Sequence, residues 1–142
     1  MIRIIFICSL FFMFSCSKEK SAYNKLDGIW EVTEARIEDG EGFAFYTSAV
    51  SGTMEIQSDA KVCSALLAFS YENLSEVPFT IYDTLEYINA TFTLNNSGEQ
   101  LEVFHNGVSD KFRIIELTKD NLIIEFYDYP NYKLKRFIFG KK

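Results

Sequence analysis

The chain has 142 residues, with 14 Lys and Arg against 20 Asp and Glu and a formal net charge of −6. That length suits one domain, and the acidic balance argues against a general nucleic-acid binder, which carries a basic face. A hydrophobic share of 48% with 16% aromatics excludes a disordered chain, and two prolines with seven glycines exclude a collagen-like or linker-dominated one.

Met1–Ser15 holds one charge, Arg3, ahead of an apolar run from Ile4 to Phe14. The run has the length of a secretory signal and falls short of the ~20 apolar residues that a membrane-crossing helix needs. Met13-Phe14-Ser15-Cys16 closes it, and Ser17-Lys18-Glu19-Lys20 follows. This arrangement resembles a bacterial lipoprotein signal ending in a lipobox, of the relaxed kind found in Bacteroidota. It departs from the common pattern at Met13, where Leu is usual, and at Phe14, which is bulkier. The resemblance implies lipidation of Cys16: thioether-linked diacylglycerol, cleavage before the cysteine, and acylation of the new amino group. Residues 1–15 are then a lipoprotein signal peptide, 16–25 a lipidated polar tether and 26–142 the folded domain. The competing reading is an ordinary signal peptide with Cys16 incidental. Removing residues 1–15 takes away Arg3 and no acid, so the net charge moves from −6 to −7. Attachment to the membrane is then expected from acyl chains, each buried methylene contributing ~0.8 kcal/mol, rather than from attraction to anionic lipid.

Of the three cysteines, Cys8 leaves with the signal and Cys16 is the lipidation site, so Cys63 stands alone. No disulfide framework is expected. Among Val62, Ala65, Leu66 and Leu67, Cys63 reads as a small buried hydrophobe.

Beyond Lys25 short apolar segments recur with turn signals between them, many alternating with period two. Gly28–Arg36 places Trp30 and Val32 on one face. Gly42–Thr47 and Gly52–Gln57 follow. Val62–Tyr71 suits a strand through Cys63, Ala65, Leu67, Phe69 and Tyr71, although its Ala and Leu content also suits a helical turn. Phe79–Ile88 reads as one long run or two strands broken near Asp83-Thr84, and Ala90–Leu94 alternates cleanly. Asn95-Asn96-Ser97-Gly98 and His105-Asn106-Gly107 are turn signals on either side of Gln100–Phe104. Lys111–Leu117, Asn121–Tyr127 and Tyr132–Phe139 complete the series. In the last, the apolar parity changes between Leu134 and Phe137, and a bulge near Lys135-Arg136 is expected to restore it. The fold class is therefore all-β: an antiparallel up-and-down meander of about eight strands, closed as a barrel or packed as a sandwich. Closure has the advantage of leaving no unpaired edge.

Leu26-Asp27-Gly28-Ile29-Trp30-Glu31-Val32 resembles the opening of lipocalin-like families, whose first barrel strand begins Gly-x-Trp. The segment from Lys111 through LTKDNLIIEFYDYPNYKLKRFIFGKK is similar to the closing hairpins of bacterial lipocalin-like lipoproteins. The resemblance covers the ends of the domain better than its middle. It implies a lipocalin-like barrel in which Gly28 and Trp30 are structural, with Lys135 or Arg136 packed on the tryptophan.

No catalytic residue stands out. His105 is the only histidine and reads as an exposed turn residue, and no G-x-S-x-G, P-loop, H-E-x-x-H or S-x-x-K motif occurs. One histidine and one spare cysteine do not make a typical zinc site, and Glu38-Asp39-Gly40-Glu41 reads as an acidic turn rather than a calcium loop. No metal, cofactor or nucleic-acid partner is expected, and no enzyme activity. Ten Phe, eight Tyr and Trp30 remain after signal removal. They either line an apolar cup or fill the barrel themselves, and Tyr127, Tyr129 and Tyr132 flank one turn around Pro130. Two functional expectations follow. The first is an outer-membrane lipoprotein that binds or carries a small hydrophobic molecule, with ligand-binding residues unassigned. The second is a non-enzymatic protein-interaction module acting through loops or the outer wall.

Overall fold

The computed structural model describes residues 18–39, 44–45, 47–73, 79–128 and 133–142. Cys16, the expected lipidation site, the segment read as a signal, and Gly40, Glu41, Tyr129, Pro130 and Tyr132 lie outside them. After a helix over 18–26, the described residues form nine strands in order: β1 (Gly28–Asp39), β2 (Ala44–Phe45), β3 (Thr47–Gln57), β4 (Val62–Asn73), β5 (Phe79–Asn95), β6 (Gln100–His105), β7 (Val108–Leu117), β8 (Asn121–Asp128) and β9 (Lys133–Lys141). Sequential antiparallel pairing from β3 to β9, with β1 against both β3 and β9, closes an eight-stranded barrel. β2 adds two rungs to the far end of β1.

Alternation explains the core. Cys63, Ala65, Leu67, Phe69 and Tyr71 of β4 are all buried, which settles Val62–Tyr71 as strand. Trp30, Phe92, Phe112, Phe137 and Phe139 are each at most 1% exposed. Full burial of an aromatic of this size contributes roughly 1.5–3 kcal/mol, so the inward rows make a packed core.

One open alternative is settled and two local expectations are corrected. Of the two readings of Phe79–Ile88 the unbroken one holds, and β5 does not break at Asp83-Thr84. It is one strand whose irregularity falls at Asn89, with φ 47°, where Ser64 Oγ accepts the Asn89 N–H at 3.0 Å. The ladder to β4 shifts between Cys63 and Ala65 at that point, and inward facing moves from Tyr87 to Ala90. β9 carries no bulge against β8, since its register runs unbroken from Lys133 to Gly140. The inward row is Lys133, Lys135, Phe137 and Phe139, and the bulge sits in the partner β1, between Val32 and Glu34. The segment expected to be only a polar tether carries the helix, because Ala22 and Leu26 at i and i+4 share one face and are buried against the barrel.

Candidate functional site

The two ends of the barrel differ, and of the sequence-derived site residues Gly28 and Trp30 fall at the closed one, while Cys16 lies outside the described residues. The helix over 18–26 lies across this base. Trp30 Nε1 donates to Leu26 O at 2.7 Å, Ser58 Oγ donates to Tyr23 O at 2.7 Å, and Leu94 N donates to Tyr23 Oη at 3.1 Å. Trp30 is fully buried, so its N–H needs this acceptor. Gly28 has φ +123°, and a Cβ there would stand 2.9 Å from Lys141 Cε, which accounts for glycine two residues before the tryptophan. The cation packed on Trp30 is neither Lys135 nor Arg136. It is Lys141, whose Nζ lies 5.0 Å from the ring centroid, because the register places Lys141 directly opposite Trp30.

At the other end, charged and polar side chains cross the barrel. Lys135 is 9% exposed and its Nζ reaches Asp83 Oδ2 at 2.8 Å and Asp128 Oδ2 at 3.0 Å. Burial alone lowers the Lys135 pKa, but its bonds to the two carboxylates outweigh that and leave it raised. Lys133 Nζ donates to Tyr71 Oη at 2.7 Å. Phe69 packs edge-on to Phe137 beneath, with ring centroids 5.4 Å apart. Thus β9 is joined to β4 and β5 across the mouth.

His105 is not an exposed turn residue. Asn106 and Gly107, both at positive φ, make the two-residue turn, so His105 ends β6 on the inward row with Leu101 and Val103. Its Nε2 is 2.9 Å from Asp110 Oδ2, which also accepts the Tyr87 hydroxyl at 2.7 Å. Burial first, then this bond, raises the Tyr87 pKa far above a free phenol. Cys63 is buried, as expected, and burial pushes its thiol up to about 11, which keeps it protonated and inert.

On the outer wall Glu125 is buried between Arg113 of β7 and Arg136 of β9, its neighbours in register. Both arginines donate to its carboxylate. Burial alone raises the Glu125 pKa, and the two arginines more than reverse that, leaving it lowered.

The most distinctive surface feature lies beside the His105 cluster. The β5–β6 ladder covers only Thr91–Asn95 of β5. Among the described residues, Phe79–Ile88 therefore has a paired side on β4 and an unpaired one. A cleft of about 480 Å³ opens where β5 leaves β6, lined in part by Glu86, Ile88, Phe104 and His105. Among the described residues, six of the eight exposed large hydrophobic residues lie on β4 to β7, the strands on either side of this seam: Leu66, Phe79, Tyr82, Ile88, Phe104 and Val108. Period-two reading identified the strand but not its missing neighbour, because edge status depends on the length of β6. No protein-family model matches the chain, and no curated protein matches it.

Proposed function

We propose that this protein is a lipid-anchored, lipocalin-like barrel of the bacterial outer membrane that works without catalysis, by binding a protein partner on its outer surface. The observation that carries the reading is the content of the inward rows. Aromatic and aliphatic side chains occupy them from Trp30 upward, and the Lys135, Lys133 and Asp110 bridges span the mouth. A ligand entering from that end would have to separate the partly buried pairs of Lys135 with Asp83 and Asp128, which costs energy. The apolar residues left in water lie instead on the outside and along the seam.

Anchoring at Cys16 would hold the base close to lipid. Only Ser17 separates Cys16 from Lys18, at which the described helix begins, so the two-step reach is roughly 7 Å and the mouth and seam are presented away from the membrane. Two measurements test the reading on protein taken from its native envelope. Mass spectrometry is expected to find a diacylglyceryl group and an N-acyl chain on Cys16. Gentle solubilisation followed by affinity capture is expected to recover one stoichiometric protein partner. A bare Cys16 thiol overturns the anchor, and capture with no stoichiometric partner overturns the interaction.

A further inference from the structure

Resting on that reading, we infer that the Phe79–Ile88 edge of β5 receives an extended segment of a partner protein as an added strand, with a cation of the partner placed opposite Glu86. A long unpaired strand edge is a template for pairing, and proteins ordinarily shorten it, cover it or load it with lysine. This one is ten residues long, contains no lysine, arginine or proline, and carries Phe79, Tyr82 and Ile88, respectively 52%, 83% and 73% exposed. Main-chain bonds to such an edge supply affinity and alternate side chains supply specificity.

One N–H of the segment shows a local substitute for a neighbour that is absent among the described residues. Thr84 N donates to the carboxylate of the preceding residue, Asp83, at 2.8 Å. The cleft at the Ile88 end extends the edge into a depression that takes the tip of an added strand. The charge pattern selects the occupant. Asp83 is matched by Lys135, whereas Glu86 and Glu72 are exposed on the hairpin with no ion-pair partner among the described residues. An incoming strand with threonine, valine or aromatic residues and one lysine or arginine opposite Glu86 complements this surface, each good cross-strand pair adding roughly 0.2–1 kcal/mol.

A second copy fits less well. Antiparallel pairing of two β5 edges relates the barrels by a twofold axis normal to the sheet, which points their bases in opposite directions. Two copies held by Cys16 in one membrane leaflet cannot adopt that arrangement.

The test uses the full chain in detergent micelles and a fluorescein-labelled peptide of about ten residues, alternating threonine and valine with one central lysine. Amide hydrogen exchange is expected to show alternate amides of Phe79–Ile88 unprotected in the free protein and slowed about tenfold on peptide addition. Glu86→Lys is expected to weaken binding about fivefold and to favour the peptide whose lysine is replaced by glutamate. Glu116→Lys, an exposed change on β7, is expected to leave binding unchanged. Slow exchange in the free protein of the alternate amides that face away from β4 overturns the inference, and so does slowing caused by self-association without peptide. Peptide binding indifferent to Glu86→Lys, with protection elsewhere on the surface, overturns the edge while the interaction reading survives. No protection anywhere, together with no captured envelope partner, removes both.

Discussion

Lys135 on β9 and Asp83 on β5 meet across the barrel mouth at 2.8 Å, with Asp128 on the other side of the same ammonium group at 3.0 Å. Removing the cation leaves two carboxylates facing one another in a partly buried site. Lys135→Ala is therefore expected to cost ~3 kcal/mol or more, read from urea unfolding. Combining Lys135→Met with Asp83→Asn is expected to cost less than the two changes summed, by ~1–3 kcal/mol, because they share one interaction. Strict additivity would mean that the bridge is a surface contact without structural weight.

The base gives a second prediction. Trp30→Phe removes the N–H that meets Leu26 O and leaves a buried carbonyl without its donor. A loss of ~1–3 kcal/mol is expected from that group alone. Exchange of the Ala22–Leu26 amides should accelerate more than that of β8, since the helix is what Trp30 holds. Uniform acceleration over the whole barrel would show that the helix has no separate docking step.

Gly52 lies in β3 opposite Leu67 at φ +130°, and a Cβ there would stand 2.0 Å from Leu66 O. The clash is with backbone, so no side chain can yield. Gly52→Ala is expected to lower stability by ~3 kcal/mol or more, read from thermal unfolding. A change within ~0.5 kcal/mol would mean that β3 and β4 are further apart than this.

Acid and alkali act on different bridges. Glu125 has a lowered folded pKa, so its contribution is fully present above the ordinary glutamate value and is lost as pH falls through the folded one. Lys135 has a raised folded pKa, so its contribution is present below the ordinary lysine value and is lost as pH rises through the folded one. Unfolding free energy measured against pH is expected to fall more steeply below about pH 4.5 in the native chain than in Glu125→Gln. It is likewise expected to fall more steeply above about pH 10.5 in the native chain than in Lys135→Met. Parallel curves would remove these groups from the pH response.

The barrel was legible because period-two alternation marks one buried face, clearly in β6 and β8, whereas the Ala and Leu content of β4 also suits a helical turn. Gly28 and Trp30 read as structural only through the resemblance of Gly-x-Trp to a lipocalin-like opening, and the physical reasons, φ +123° at Gly28 and full burial of the indole, appear only in the fold. What escaped was decided by partners distant in sequence. Lys135 looked like an interruption of an apolar row until Asp83, 52 positions away, supplied its counter-charge. His105 looked like turn because Asn-Gly follows it, whereas Asp110 and Tyr87 draw it inward. The helix over 18–26 is short and mostly polar, and only its packing under Trp30 sets Ala22 and Leu26 apart.

The central claim is that the inward rows form a solid core and that binding happens outside. Trp30 is the only tryptophan and sits fully buried at the base, so it reports on the interior. The direct measurement is a titration of the full chain in micelles with a fluorescent polyene fatty acid whose absorbance overlaps tryptophan emission. The account predicts weak quenching of Trp30 that rises linearly with probe and never saturates. Saturable quenching with one probe molecule per chain would place a hydrophobic ligand inside the barrel and contradict it.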